Sequence, residues 1–215
     1  MLLFTTAFLN LQLFVVVFGS MKRIFNSRNF SAGISLSNIQ IFTLINVIGG
    51  VMVVGGYAIF LYLFPAQRES LWGGIEGGWR VVFTVSMLLA AGGYITFFYL
   101  IVSKLGVPSF AAGIPSFLTG PNTMIFLCAL FLAGASVWMP STIAFIRSHD
   151  TFWWIVAAGS LWVTALSLIL MIVNLYGAEV TGSLIHKYLA LAGLIYIWFH
   201  CLVLDAIVWI AKFPH

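Results

Sequence analysis

A chain of 215 residues that is 62% hydrophobic and 7% charged, with a mean hydropathy of +1.12, is excluded from the water-soluble class. Its nine Lys and Arg and five Asp and Glu leave a formal net charge of +4. These charges fall between apolar runs and build no basic patch interleaved with aromatics, which excludes nucleic acid as a partner. The composition predicts an all-α, multi-pass integral membrane protein with the lipid bilayer as its first partner.

Residues 1–19 form an apolar run with no positive charge before it and with Lys22, Arg23 and Arg28 after it. Three readings stay open: a sixth, N-terminal hydrophobic helix, a cleaved signal peptide and an organellar presequence. The missing basic n-region counts against the second, and the apolar character of the whole run against the third. Residues 20–38 read as a polar, basic connector, and residues 39–215 as a single transmembrane helical domain.

Five runs within that domain reach the ~20 residues needed to cross a bilayer: 40–64, 81–103, 123–147, 151–176 and 184–210. Small and polar residues recur at helical spacing on four of them. Thr43, Asn46 and Gly50 share one side of the first span; Ser86, Ala90, Gly93 and Thr96 share a side of the second. Ala129, Ala133, Ser136 and Pro140 share a side of the third, where Pro140 frees the Ser136 carbonyl and a kink is expected. On the fourth, Ser160, Ser167 and Asn174 are seven apart, a stripe that protein must cover, with Leu161, Leu168 and Met171 expected among the more lipid-facing positions.

Between the first two spans, residues 67–78 read as an aqueous loop. Its glycine pairs at Gly73 and Gly77 mark turns, and the strand and Lys-bearing helix of a phosphate loop are missing. Residues 105–122 carry Pro108, Pro115 and Pro121 and cannot form one continuous helix. They are expected along the interface or against protein, with a re-entrant loop as the alternative. The four residues 147–150 are a short turn, so spans three to five form an up-down-up unit.

The fifth span carries His200 and Asp205, the latter the only deeply placed carboxylate of the chain. On an α-helix five residues turn through about 140° beyond a full circle. Asp205 therefore shares a sector with Trp198, Cys201, Trp209 and Lys212, while His200 lies opposite with Gly193 and Tyr196. The two are not expected to pair. Asp205 is expected near the headgroup region, with Lys212 about 10 Å further along the same face. Polar groups on both sides imply a helix flanked by protein on both.

Chemistry-bearing constellations are scarce. Cys128 and Cys201 lie inside apolar runs, where cysteine acts as a small buried hydrophobe. Lys187 sits at the end of a span rather than deep within one, as a retinal protein would need. His186 and His200 are fourteen apart, a spacing that resembles the two-haem helices of b-type cytochromes, but only His149 and His215 remain to supply opposing ligands. No metal cluster or activated nucleophile stands out, so no cofactor is expected. Lys and Arg number five on the N-terminal side (22, 23, 28, 104, 187) and four on the other (68, 80, 147, 212), a bias that leans the 20–38 connector to the cytoplasmic or equivalent side.

Two functional readings follow. The first is a non-catalytic accessory or structural subunit that associates with other membrane subunits or with itself. The alternative is a small-solute or proton carrier or channel, with Asp205 as its ionisable group and His200, Asn174, Ser167 and Asn46 as further polar residues in the spans. An enzyme acting on lipid or quinone is the remaining reading, without a catalytic constellation behind it.

Overall fold

The computed structural model describes residues 36–107, 109–110, 121–179 and 182–214. The readings of 1–19, of most of the 20–38 connector, of His215 and of the centre of 105–122 fall outside the described residues. Ser37 opens the first helix with a capping box: its hydroxyl accepts from the Gln40 amide at 3.4 Å and the Gln40 side chain accepts from the Ser37 amide at 2.8 Å. Helix α1 runs from Asn38 to Leu63 and ends at Pro65. Helix α2, Gly78–Leu100, is prolonged by a π turn, Ile101–Leu105. Helix α3, Pro121–Ser148, passes through Pro140 without ending. His149, at φ 52°, reverses the chain, and the Asp150 carboxylate caps α4, Thr151–Gly177, by accepting from the Phe152 amide at 2.9 Å. Helix α5, Leu184–Phe199, continues as a ten-residue π-helix, His200–Trp209, and closes with an α turn, Ile210–Lys212.

Among the described residues five helical segments are long and apolar enough to cross a membrane, and the chain is a polytopic membrane protein. Helix α3 packs against α1 and α4, and α5 packs against α2 and α4. Helices α1 and α2 meet where Phe42 lies edge-on to Phe97 at 6.2 Å and stacks on Phe98 at 5.9 Å. Helix α3 is the most enclosed span and α1 the least. A short antiparallel ladder, β1 (Ser109–Phe110) on β2 (Ala178–Glu179), ties the α2–α3 connection to the α4–α5 connection.

Glycines set the closest approaches. Any Cβ on Gly93 would lie 2.7 Å from the Gly193 carbonyl oxygen, and one on Gly193 would meet the Gly93 backbone, so α2 and α5 cross glycine on glycine. A Cβ on Gly134 would lie 2.6 Å from the Thr164 hydroxyl, and one on Gly49 2.6 Å from Leu132.

Several expectations need correction. On α1 the close contact belongs to Gly49, while Gly50 has open space above it. Thr96 is exposed and returns its hydroxyl to the Gly92 carbonyl at 2.9 Å; Phe97 fills the buried position beside it. On α4 the polar stripe is buried as its spacing requires, but Leu161, Leu168 and Met171 are buried as well. Helix α4 has neighbours on two sides, α3 and α5, so its covered arc is wider than the stripe. The connector after α1 keeps Arg68, Glu69 and Glu76 exposed between the two spans, but it is also packed. It holds two short 3-10 turns, Pro65–Gln67 and Ser70–Trp72, buries Leu71 and Ile75, and turns at Gly73 (φ 57°) and Gly77 (φ 55°). Gly74 has the Lys212 carbonyl where a side chain would start, which seats this connector against the end of α5.

Two outcomes test this architecture. Single cysteines at Ser70 and Ser148, both exposed and both at connectors an even number of spans apart, should be labelled by an impermeant thiol reagent from the same side of sealed vesicles, since Cys128 and Cys201 are buried. Labelling from opposite sides rejects the alternation. In detergent, Gly193→Leu should lower the apparent melting temperature by several degrees or prevent folding, whereas Gly55→Ala, with nothing within 4 Å, should hold it or raise it slightly, since helix propensity favours alanine by up to about 1 kcal/mol.

Candidate functional site

Most hydroxyls in the spans are consumed locally. Thr43 donates to the Ile39 carbonyl at 2.7 Å, Ser141 to Val137 at 2.8 Å, Thr164 to Ser160 at 2.8 Å and Ser167 to Val163 at 2.7 Å. A hydroxyl that bonds back into its own helix satisfies itself in hydrocarbon and offers little to a passing solute. Ser167, proposed from the sequence as lining, is bonded within its own helix. Asn46 is likewise engaged: its amide donates to the Phe42 carbonyl at 2.8 Å, and its carbonyl oxygen accepts from Tyr94 at 2.5 Å, bonding α1 to α2. Asn174 is buried three residues from the end of α4. Asp205 lies towards the opposite end of the bundle, near Lys212, so Asn46, Ser167 and Asn174 do not join it in one site.

Ser86 departs from this pattern. Its hydroxyl reaches across to α5, where His200 Nδ1 lies 3.0 Å away and Tyr196 donates to it at 3.4 Å. His200 Nε2, on the other side of the ring, stands 3.6 Å from Asp205 Oδ2. The expectation that His200 and Asp205 point apart is thus overturned. The physical cause is the π-helix, which begins at His200. Its i→i+5 hydrogen bonds widen each turn, so residues five apart stack one above the other instead of diverging by about 140°. Lys212, expected about 10 Å further along, is exposed, and the ion-pair contact of Asp205 is with His200.

Both ends of the π segment are pinned. At the start, His200 is buried on Ser86 of α2. At the end, Trp209 Nε1–H donates to the Leu71 carbonyl of the connector at 2.9 Å, and the indole lies edge-on to Trp138 at 5.3 Å and against Phe213 at 4.6 Å. Tyr57 of α1 lies tilted against Trp138 at 6.0 Å. Trp138 Nε1 is buried without a hydrogen-bond acceptor. Sequence reasoning had placed Ser86 in a packing stripe and had not singled out Tyr57 or Trp138, because only a contact across helices gives them a role.

The arrangement is a line of exchangeable groups, Tyr196, Ser86, His200 and Asp205, set within the spans. A carboxylate at depth is tolerated when it is paired, and the 3.6 Å separation is electrostatic contact rather than a hydrogen bond. Lys187 takes no part: its ammonium donates to the Tyr176 and Ala178 carbonyls at 2.8 and 2.7 Å and closes the C-terminal end of α4. His149 stands in the α3–α4 turn, and no three His, Cys, Asp or Glu side chains gather into a metal site among the described residues.

A double-mutant cycle with His200→Ala and Asp205→Asn reads the pairing directly. The two changes should be non-additive in unfolding free energy by about 0.5–1.5 kcal/mol; additivity would return them to the independent positions of an α-helix.

Comparison of the chain with protein-family models, with curated proteins and with solved structures finds no match in any of the three.

Proposed function

We propose that the chain is a membrane carrier that moves protons, alone or with a small solute, and that Asp205 and His200 are its ionisable centre. The observation that carries this reading is the π-helical pairing of His200 with Asp205, continued through Ser86 to Tyr196 on the bundle surface. Ionisable groups within spans are costly unless they are used, and a histidine beside a carboxylate can pass a proton at physiological pH. Asp205 is partly exposed, with 29% of its side-chain surface accessible, whereas the His200 side chain is 8% exposed. A proton entering at the carboxylate has the imidazole as its next acceptor.

The accessory-subunit reading keeps one specific support. Helix α1 covers little of its own surface, and Gly50, Gly55 and Gly56 leave open space along it, where a helix of another subunit can approach closely. Gentle purification followed by mass analysis separates the readings: stoichiometric companion chains favour assembly, a lone species favours transport.

Reconstitution tests the carrier reading. Wild-type vesicles should dissipate an imposed pH gradient, and Asp205→Asn should cut that flux at least about tenfold while the protein still folds and purifies in normal yield, because a carboxamide cannot cycle a proton. Absence of wild-type flux, or full flux in the Asn variant, defeats it.

A further inference from the structure

Arg68, Arg80 and Arg147 are the described arginines, and all three stand at the end of the bundle that holds the α1–α2 connector and the α3–α4 turn. Arg80 is engaged within the chain: its Nη1 donates to Glu69 at 2.7 Å, its Nε donates to the Ile75 carbonyl at 2.9 Å, and its guanidinium lies over Trp72 at 5.5 Å. The other two have no carboxylate partner among the described residues. Arg68 folds back on α1, where its Nε donates to the Leu61 carbonyl at 2.8 Å. Arg147 leans from the last turn of α3 onto the Phe64 ring at 5.4 Å. Leu61 and Phe64 are three residues apart, hence on one side of the end of α1, and both pack with Ile146 around Phe60 and Ile143. Two guanidiniums thus flank one seam, between the ends of α1 and α3.

We propose that Arg68 and Arg147 form a site for the phosphate of an anionic phospholipid. With its Nε spent on the helix end, Arg68 still presents both Nη groups, the end-on fork that fits two phosphate oxygens. Arg147 rests on a ring face, a contact that uses none of its N–H donors. The carboxylates nearest in sequence are committed elsewhere: Glu69 to Arg80, and Asp150 to the Phe152 amide. Charge calls for an anion, and position decides its source. Both arginines stand where a long apolar span meets water, the depth of lipid phosphates. Beside them α1 leaves Ile59, Tyr62 and Leu63 exposed, a surface on which the acyl chains of the same molecule can lie. A choline headgroup would bring its own cation against the pair, which selects a lipid of net negative charge. The site shares no residue with the Asp205 line, so it stands or falls separately from the carrier reading.

The test uses the full chain, delipidated in detergent, and native mass spectrometry with three probes: phosphatidylglycerol, phosphatidylcholine of the same acyl chains, and inorganic phosphate. A cation at an anionic lipid surface is worth about fivefold in affinity. Phosphatidylglycerol should therefore bind at least about tenfold more tightly than phosphatidylcholine. Arg147→Gln should weaken phosphatidylglycerol binding about fivefold, and Arg68→Gln combined with it more than about tenfold. Lys104→Gln, exposed at the opposite end of the bundle, should change nothing, and millimolar inorganic phosphate should neither bind nor displace the lipid. Arg147→Gln leaves the Arg68 bond to α1 in place, so it reads the site even if the double variant fails to fold. Equal binding of the two lipids, or unchanged phosphatidylglycerol binding in Arg147→Gln, overturns the proposal. So does an equal loss in Lys104→Gln, the mark of diffuse charge attraction. Arginine-dependent binding of inorganic phosphate in place of the lipid overturns it as well, since the source is then a soluble anion.

Discussion

The wide hydrogen-bond ladder of residues 200–209 decides what this bundle can do. An α-helix with the same side chains would direct His200 and Asp205 to different neighbours, each needing its own partner in hydrocarbon. The i→i+5 ladder joins them, so one histidine serves both the carboxylate on its own helix and the serine on α2. Such ladders have poorer geometry than α-helical ones and occur mostly as single turns. A ten-residue stretch therefore needs outside support, which the Ser86 contact supplies at one end and the Leu71 carbonyl with the Trp138, Trp209 and Phe213 cluster at the other.

The remaining polar content of the spans has a different character. Most serine and threonine hydroxyls of α1 to α4 return to carbonyls three or four residues back, as with Thr84 to Arg80 at 2.8 Å and Ser136 to Ala133 at 2.9 Å, Ser86 being the exception. These residues are small, and their polarity is silenced locally, so they let helices approach without opening a wet path. Gly134 against Thr164 shows the principle: a small residue on one helix receives a self-satisfied hydroxyl from the next. The bundle thus separates polar groups that pack from the few that reach across helices.

That separation explains which features were legible in the sequence. Five spans follow from run length, since crossing hydrocarbon demands about twenty apolar residues whatever the fold. Burial of Ser160, Ser167 and Asn174 follows from their spacing, because a polar stripe has nowhere else to go. Burial of Leu161, Leu168 and Met171 does not follow: a leucine is equally at ease in lipid and in protein, and only the number of neighbours decides. The site was least legible. Periodicity assumes a constant rotation per residue, and a local change of ladder at His200 re-aims everything after it without altering a letter. Asp205 and His200 were recognisable as residues out of place; their meeting was not.

Helix α1 has 26 residues and so measures about 39 Å, longer than the ~30 Å hydrocarbon core of a typical bilayer. A helix with excess length tilts, and the one least gripped by its neighbours tilts most readily. Its grip lies at both ends: Asn46 bonded to Tyr94 and Gly49 against Leu132 fasten it nearer the first, and Phe60 packs with Met139 and Ile143 of α3 nearer the other. A thinner or thicker membrane would thus act through α1 on α3, where Tyr57 meets Trp138, the indole that lies edge-on to Trp209 at the end of the π segment. Host bilayer thickness becomes a mechanical input to the far end of the π segment, transmitted by a helix that contributes none of the four linked groups.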